Sequence, residues 1–199
     1  WSSDVCSSDL INFQITSGAN VTLEFTRGVG GSYATFTSTG TVKANAWNHI
    51  AVTFATSGKT ATFYINGAAA GSSSNTGFSY SSSNPSSVLN VGRTPSNAGY
   101  LTGYISDLRI TNNIVYPSAF TPPTAPLTAV SGTQLLTSMT NGAIYDSSEV
   151  ADYETVGNAQ ISTSVKKYGT GSLYFDGSGD GLNMSGSQTN PIADFSGNF

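Results

Sequence analysis

The sequence predicts an all-β protein built as an antiparallel β-sandwich, and three observations support this prediction. Apolar and polar residues alternate with a period of two in short segments that only polar turns separate. The inward positions of these segments hold β-branched or aromatic side chains. Asn66-Gly67 stands where a tight hairpin needs two residues that tolerate positive φ. Together they favour one antiparallel sheet packed on a second.

The predicted strands of the first part of the chain follow one another in a regular order. In sequence they are residues 21–25, 33–36, 47–54, 61–67, 88–93 and 103–110. The first of them begins at Val21, and Thr39-Gly40 is expected to break the second. The inward-facing sets are Val21, Leu23 and Phe25, then Ile50, Val52 and Phe54, then Ala61, Phe63 and Ile65.

Loops and a proline-rich segment separate these strands from the end of the chain. Residues 71–87 form a Ser-rich excursion, and residues 94–100 form a second loop that could complete a rim with it. Proline clusters at 117–126 and marks a boundary near residue 128. Beyond it, the sequence predicts strands at 134–137, 159–163 and 171–177, with an acidic linker or turn at 146–154.

The order of these motifs resembles a known family. With Tyr116-Pro117 and Phe120-Thr121-Pro122-Pro123 after the last strand, it is similar to the laminin-G-like, concanavalin A-like lectin/glucanase jelly rolls found in phage tail fibres and microbial surface proteins. The resemblance covers roughly residues 11–128 and resumes near residue 160. It implies a jelly-roll fold and neighbouring repeats of that fold.

The resemblance also implies a domain organisation. Residues 11–128 would form the later part of one jelly roll, residues 129–159 a Pro/Thr/acidic linker, and residues 160–199 the earlier part of a second domain. In such domains the opening strand, here 173–176, pairs with the closing strand, here 104–110. We therefore expect residues 160–199 to dock onto residues 11–128, because an unpaired buried strand edge is costly.

The sequence predicts a different origin for residues 1–10. Their sequence, Trp1 to Leu10, is what one reading frame of a common short-read sequencing adapter encodes, so we treat it as a non-native segment. Without it the chain has no cysteine, and nine acidic residues against seven basic ones give a net charge of −2. No disulfide framework is expected, although an extracellular or virion-surface location remains compatible with a sandwich of this size.

Composition excludes two kinds of partner. Charged residues make up 9% of the chain, well below the roughly 25% usual for globular domains, and the basic ones are scattered. Without a basic stripe, nucleic acid is not an expected ligand. No apolar run approaches the roughly 20 residues that span a bilayer, so membrane insertion is not expected either.

Catalytic residues are not recognisable in the sequence. Glucan hydrolases of the family carry carboxylates on one strand as Glu-x-Asp-x-Glu, and that motif is absent. Glu24 stands alone in its strand, and Asp152 and Glu154 fall in the predicted linker. His49 is the only histidine and is expected to have a packing role. The sequence therefore predicts a protein that is not an enzyme.

One segment has the spacing of metal ligands. Asp176, Ser178 and Asp180 alternate with glycines as at the opening of a calcium loop. Ser187 stands where such a loop needs a bidentate glutamate, and Gly-Ser-Gly also suits a hairpin. A turn is the favoured interpretation, with calcium as a possible ligand and no other cofactor expected.

Recognition of a glycan or a surface protein is the remaining hypothesis. Saccharides bind to aromatic faces, amides and hydroxyls, which this chain supplies in abundance. The candidate ligand-binding residues are Tyr33, Tyr64, Asn75, Tyr80, Asn84, Asn97 and Tyr100. The sequence thus predicts an adhesion module on a virion or cell surface. A structural spacer in a fibre and, after it, a glycoside hydrolase are the alternatives.

Overall fold

A computed structural model describes residues 11–25, 34–77, 90–93, 99–139, 144–146 and 153–184. Within these ranges the regular structure is entirely β, and every strand pairing is antiparallel, which confirms the predicted class. Contacts divide the chain into two compact units. Unit 1 takes its described residues from Trp1–Ser87 and Asn112–Pro122, and unit 2 takes its described residues from Val88–Thr111 and Pro123–Ile192.

Unit 1 contains two three-stranded sheets in its described part. The strands are β1 (Ile11–Ile15), β2 (Asn20–Phe25), β3 (Ala34–Thr41), β4 (Ile50–Ala55), β5 (Thr60–Ile65) and β6 (Ala68–Ser74). Each sheet follows chain order, β1-β2-β3 and β4-β5-β6, as successive hairpins do.

The core of unit 1 lies between the inner faces of these sheets. Phe25 and Phe36 of the first sheet meet Phe54 of the second, with ring centroids 4.7 and 5.6 Å from that of Phe54. Val21, Leu23, Ala61 and Phe63 complete the buried cluster, while Ile50, Val52 and Ile65 pack against it. The predicted inward sets are therefore confirmed, and the two sheets form a sandwich.

The β5–β6 hairpin has the turn that its sequence predicts. Asn66 and Gly67 both have positive φ, 52° and 79°. The segment Asn112–Pro122, which we call the strap, crosses this turn, and the Phe120 amide donates to the Gly67 carbonyl oxygen at 2.9 Å. A Cβ at Gly67 would overlap the Phe120 carbonyl oxygen, so this position accepts glycine alone without displacing the strap.

Four strand assignments in unit 1 differ from those predicted. Strand β4 begins at Ile50 and not at Trp47. Strand β1 precedes Val21, β3 continues through Thr39-Gly40, and β6 takes up residues 71–74 of the predicted Ser-rich loop. Apolar and polar residues alternate clearly in β1, from Ile11 to Ile15, so its sequence carried the signal. In β3 and β6 alternation is weak, and backbone pairing extends the strands because ladder hydrogen bonds need no apolar residue. At Gly40 and Gly71, small residues allow β3 and β6 to approach, and Thr39 Oγ1 donates to the Ala70 carbonyl oxygen at 3.1 Å.

Unit 2 contains nine strands in its described part. They are β7 (Asn90–Val91), β8 (Thr102–Ile105), β9 (Leu108–Thr111), β10 (Thr133–Met139), β11 (Ile144–Asp146), β12 (Tyr153–Val156), β13 (Gln160–Ser162), β14 (Ser172–Asp176) and β15 (Gly181–Met184). They form three sheets, with orders β13-β14-β8, β12-β15-β7 and β11-β10-β9.

Alternating residues of β14 and its neighbours form the core of unit 2. Leu173, Phe175 and Leu182 are buried in one cluster, against which Ile105 packs. The Phe175 ring lies so close to Gly92 that a Cβ there would stand 2.6 Å from two of its carbons. Strand β14 pairs with β8, so the predicted contact of residues 173–176 is confirmed for Thr102–Ile105. The prediction of one continuous strand at 103–110 is wrong, because Asp107 has a positive φ of 56° and Leu108–Thr111 pairs with β10 instead.

The region predicted as a linker contains regular structure. Between residues 129 and 159 lie β10, which the sequence predicts in part, and also β11 and β12, which it does not. Strand β12 pairs with β15, a partner about thirty positions away, through Tyr153 and Met184. Acidic residues in a short segment indicate a turn, but the distant partner decides its conformation. The assignment of residues 11–128 and 160–199 to two successive repeats stays a prediction.

Candidate functional site

The structure describes three of the seven predicted ligand-binding residues, Tyr64, Asn75 and Tyr100. Tyr33, Tyr80, Asn84 and Asn97 lie outside the described residues. Asn75 follows β6, where its amide N–H donates to the Lys59 carbonyl oxygen at 3.1 Å, and Tyr100 forms an isolated bridge with Arg93. Asn75 belongs to unit 1 and Tyr100 to unit 2.

Tyr64 is the clearest correction among these residues. It points away from Phe63, as predicted, yet only 3% of its surface is exposed, because Phe120 of the strap packs on its ring with centroids 5.6 Å apart. Burial raises the pKa of the Tyr64 hydroxyl. Its aromatic face is occupied by protein and does not offer a stacking surface.

His49 has the packing role that the sequence predicts. Its ring contacts Tyr116 and Phe120 edge-on, with centroids 6.0 and 5.3 Å away, and these two rings stack on each other at 3.6 Å. The His49 amide N–H donates to Asn66 Oδ1 at 2.9 Å. The histidine thus belongs to the contact between the strap and the β5–β6 turn.

The predicted metal ligands form a turn between β14 and β15. Asp180 is fully buried, and its two carboxylate oxygens accept the backbone N–H groups of Asn158 and Asp176, each at 2.8 Å. Asp176 accepts the Ser178 N–H at 2.7 Å and Asn158 Nδ2 at 3.0 Å. Each of the four oxygens therefore has an N–H donor, which is the arrangement of a hydrogen-bonded turn.

The N–H groups that donate to Asp176 also favour the ionised form of its carboxyl. The Asn158 amide and the Ser178 N–H hold the pKa of the Asp176 carboxyl below its ordinary value, so Asp176 is ionised at neutral pH. No group of three or more His, Cys, Asp or Glu side chains suited to a metal ion occurs in the described part of the chain. Calcium binding by Asp176, Ser178 and Asp180 stays a prediction.

A pair of tyrosines, one exposed and one half-buried, lies on the outward face of the β13-β14-β8 sheet. Tyr104 and Tyr174 are directly opposite each other on adjacent strands, with ring centroids 5.3 Å apart and planes 41° apart. Tyr104 is 37% exposed and Tyr174 is half-buried. Gln160 on β13 pairs with Tyr174 on its other side and is exposed. We call these three residues the tyrosine patch.

The tyrosine patch lies in a shallow depression with a volume of about 280 Å³. The other lining residues are Ile161 and Ser162 of β13 and Thr163 and Ser164 of the turn that follows it. This turn is anchored because Ser172, buried on the same strand as Tyr174, donates its hydroxyl to the Val165 carbonyl oxygen. The lining thus combines two aromatic rings, one amide and several hydroxyls, and it includes no charged side chain.

The sequence contained the signal for this patch. Tyr104 stands between Gly103 and Ile105, and Tyr174 between Leu173 and Phe175, so strand alternation directs both tyrosines outward. The predicted pairing of the two strands then places them side by side. Neither tyrosine of the patch is among the predicted ligand-binding residues, which are loop residues and one strand tyrosine, Tyr64 of β5.

Comparison with known proteins agrees with this architecture. Residues 2–118 match a laminin-G-type family model described as the concanavalin A-like lectin/glucanases superfamily. The chain belongs to this superfamily. No curated protein and no solved structure matches the chain.

Concanavalin A-like proteins include both lectins and glucanases, so membership is compatible with carbohydrate recognition and with hydrolysis. A glucanase needs two carboxylates that flank the scissile bond. The residues that line the depression in this concanavalin A-like chain include no acid. No helix within the described ranges is long and apolar enough to cross a membrane.

Proposed function

We propose that this protein is a non-catalytic recognition module that binds carbohydrate through the tyrosine patch. The observation that carries the proposal is the Tyr104–Tyr174 pair, with the Gln160 amide beside it in one row. Aromatic faces attract the C–H faces of sugar rings, while an amide both donates and accepts hydrogen bonds to hydroxyls. Membership of a lectin/glucanase superfamily supports the same class of ligand.

The biological setting that fits this module is adhesion. We place it in a phage tail fibre or a cell-surface protein, on the virion or outside the cell, where neighbouring repeats of the fold would present several such patches. Repetition raises overall avidity when each patch is weak, by 10²- to 10⁴-fold in order of magnitude. A shallow depression of about 280 Å³ suits a weak individual site.

A glycan array probed with the full chain tests the proposal. We expect binding to at least one class of glycan, and we expect Tyr104→Ala and Tyr174→Ala each to weaken it about tenfold or more, as for aromatic residues central to an interface. Phe13→Ala is the matched control, because Phe13 is an exposed aromatic of unit 1 at 45% and lies outside the patch.

Two further measurements test the alternative sites that the sequence predicts. A Tyr80→Ala, Tyr100→Ala double variant tests the loop rim that the sequence predicts, and loss of binding there with an intact patch would contradict our assignment. Calcium and a chelator test the turn at Asp176 and Asp180. Absence of binding by a folded chain would favour the structural spacer, in which the tyrosine pair only stabilises the sheet.

A further inference from the structure

The tyrosine patch forms a row that crosses three strands. Gln160, Tyr174 and Tyr104 occupy directly opposite positions on β13, β14 and β8, so their side chains leave the same face of the sheet. Two strand spacings separate the first from the last, a distance of about 10 Å. A row of this length exceeds one sugar ring, so a ligand that uses all three residues is a chain.

The row is bounded on both sides. On one side stands the anchored turn after β13, whose Ser164 lines the depression together with Ser162 at the end of β13. On the other side Asp176 pairs with Thr102 on the same outward face, two positions beyond Tyr174 and Tyr104. The ends of the row carry no such boundary among the residues that line the depression. A trough of this kind admits an internal stretch of a chain.

The charges around the row discriminate between glycans. The lining itself has no cation that could pair with a uronate or a sulfate. Asp176 lies two residues along β14 from Tyr174, about 7 Å away by strand rise, which is within the Debye length of about 8 Å at physiological salt. Because the Asn158 and Ser178 N–H groups favour its ionised form, this carboxylate repels an anionic chain.

The angle between the Tyr104 and Tyr174 ring planes restricts the shape of the ligand that can stack on both. Two coplanar rings would suit a flat ribbon or the face of a crystalline polysaccharide, on which successive sugar faces lie in one plane. The Tyr104 and Tyr174 planes are 41° apart instead. Consecutive sugar rings that stack on both must be turned relative to each other, as in a single flexible chain.

We infer that the tyrosine patch binds an internal stretch of a neutral, soluble polysaccharide, laid across β13, β14 and β8 from Gln160 to Tyr104. The inference rests on the proposed function and specifies the ligand class of the same site. Stacking on two tyrosines sets the affinity, and Gln160 hydrogen-bonds the next sugar along the chain.

The test uses affinity electrophoresis of the full chain in gels containing one soluble polysaccharide each. The neutral probes are galactomannan, arabinoxylan and mixed-linkage glucan, and the acidic probes are alginate and polygalacturonate, with crystalline cellulose as an insoluble control in a pull-down. We expect retardation by at least one neutral probe. We also expect a loss of about tenfold in affinity in Gln160→Ala, which changes an exposed side chain.

Oligosaccharides of the best neutral probe, from two units upward, then test the length of the row. We expect affinity to rise at least about tenfold between the disaccharide and the chain that fills the row. Asp176→Asn keeps an oxygen for the Ser178 N–H and should raise affinity for an acidic probe about threefold, from the removal of one charge at this distance.

The outcomes separate the inference from the proposed function. Preferential binding of an acidic chain or of crystalline cellulose, or a disaccharide that binds as tightly as a long chain, would overturn the inference and leave carbohydrate recognition standing. A folded chain that binds no polysaccharide in the gels and no glycan on the array would overturn both. Binding to neutral chains that Gln160→Ala leaves unchanged would contradict the role of the row.

Discussion

Two tyrosines of this protein occupy equivalent outward positions on their strands but differ in solvent exposure. Tyr64 of β5 and Tyr174 of β14 both alternate with buried core residues, and both point away from their own core. Tyr64 is covered by Phe120 of the strap and is buried, whereas Tyr174 and its partner Tyr104 remain on the surface.

The difference teaches that strand alternation does not decide whether an outward aromatic is available. Alternation fixes the face, but a segment that returns over that face decides its exposure. In unit 1 the Gly67 turn accepts the strap through a backbone hydrogen bond. In unit 2 the turn after β13 is anchored beside the tyrosines and lines one side of their depression.

The largest expected contrast is between Tyr64→Ala and Tyr104→Ala. Deleting the buried Tyr64 ring leaves a cavity under the strap and should lower the free energy of unfolding by about 3–5 kcal/mol. Deleting the exposed Tyr104 ring removes one cross-strand contact and should cost only about 1 kcal/mol. Urea unfolding followed by far-UV circular dichroism measures both, and equal losses would contradict the comparison.

Gly67→Ala should give the next largest loss of folding stability, because it displaces the strap that covers Tyr64. The left-handed backbone costs an L residue about 1–2 kcal/mol, and overlap with Phe120 together with a 2.8 Å approach to Pro122 Cδ should displace the strap. We expect a total loss of about 2–4 kcal/mol, the range of mutations that combine backbone strain with a clash. Nitration of Tyr64 by tetranitromethane, located by mass spectrometry, should increase at the same time.

Gly58→Ala is the matched control for this prediction. Gly58 has nearly the same φ, 80°, but a Cβ there would meet only Thr60 Oγ1 at an ordinary 3.6 Å. The control should therefore show the backbone cost of about 1–2 kcal/mol without added nitration of Tyr64. If both variants left Tyr64 equally protected, the strap would not depend on Gly67.

The sequence was sufficient for the class of fold and for the inward faces. Phe25, Phe54 and Phe63 lie where alternation places them, because an antiparallel strand with one buried face must keep a period of two. It was also sufficient for the β8–β14 pairing, through the family resemblance. It failed at β11, which pairs with the neighbouring β10, and at β12, where a short acidic segment becomes a strand through β15, a partner that is distant in sequence.

The candidate site was less predictable for a physical reason. The exposure of an outward side chain depends on whether another segment of the chain packs over that face of the sheet. The local alternation of apolar and polar residues does not indicate this. The loop tyrosines Tyr33 and Tyr80 were attractive by sequence and lie outside the described residues, while Tyr64 was excluded only by the position of Phe120. The Asp176–Asp180 turn shows the reverse case, since glycine spacing predicted a turn there. The turn does not close a hairpin, because β14 and β15 lie in different sheets.

The smallest effect that we expect is a pH dependence of folding stability that comes from Asp176 at the end of β14. Strand β14 ends in an acid, Asp176, while β5 contains none. The Asn158 amide and the Ser178 N–H lower the pKa of Asp176 below its ordinary value of 3.8. A carboxyl whose pKa is lowered by folding stabilises the folded state above that ordinary value, and the contribution disappears as pH falls through the folded value.

Asp176→Asn cannot titrate, so it isolates this contribution. The variant should be less stable than the parent chain at pH 7, and the difference should shrink as pH falls below about 4, where the parent carboxyl becomes neutral. Thermal unfolding at a series of pH values measures it, with Glu24→Gln of unit 1 as the control for a change of one charge. A difference that stayed constant with pH would mean that the hydrogen bonds of the turn do not depend on the charge of Asp176, and the repulsion of anionic chains would then be the only expected role of that charge.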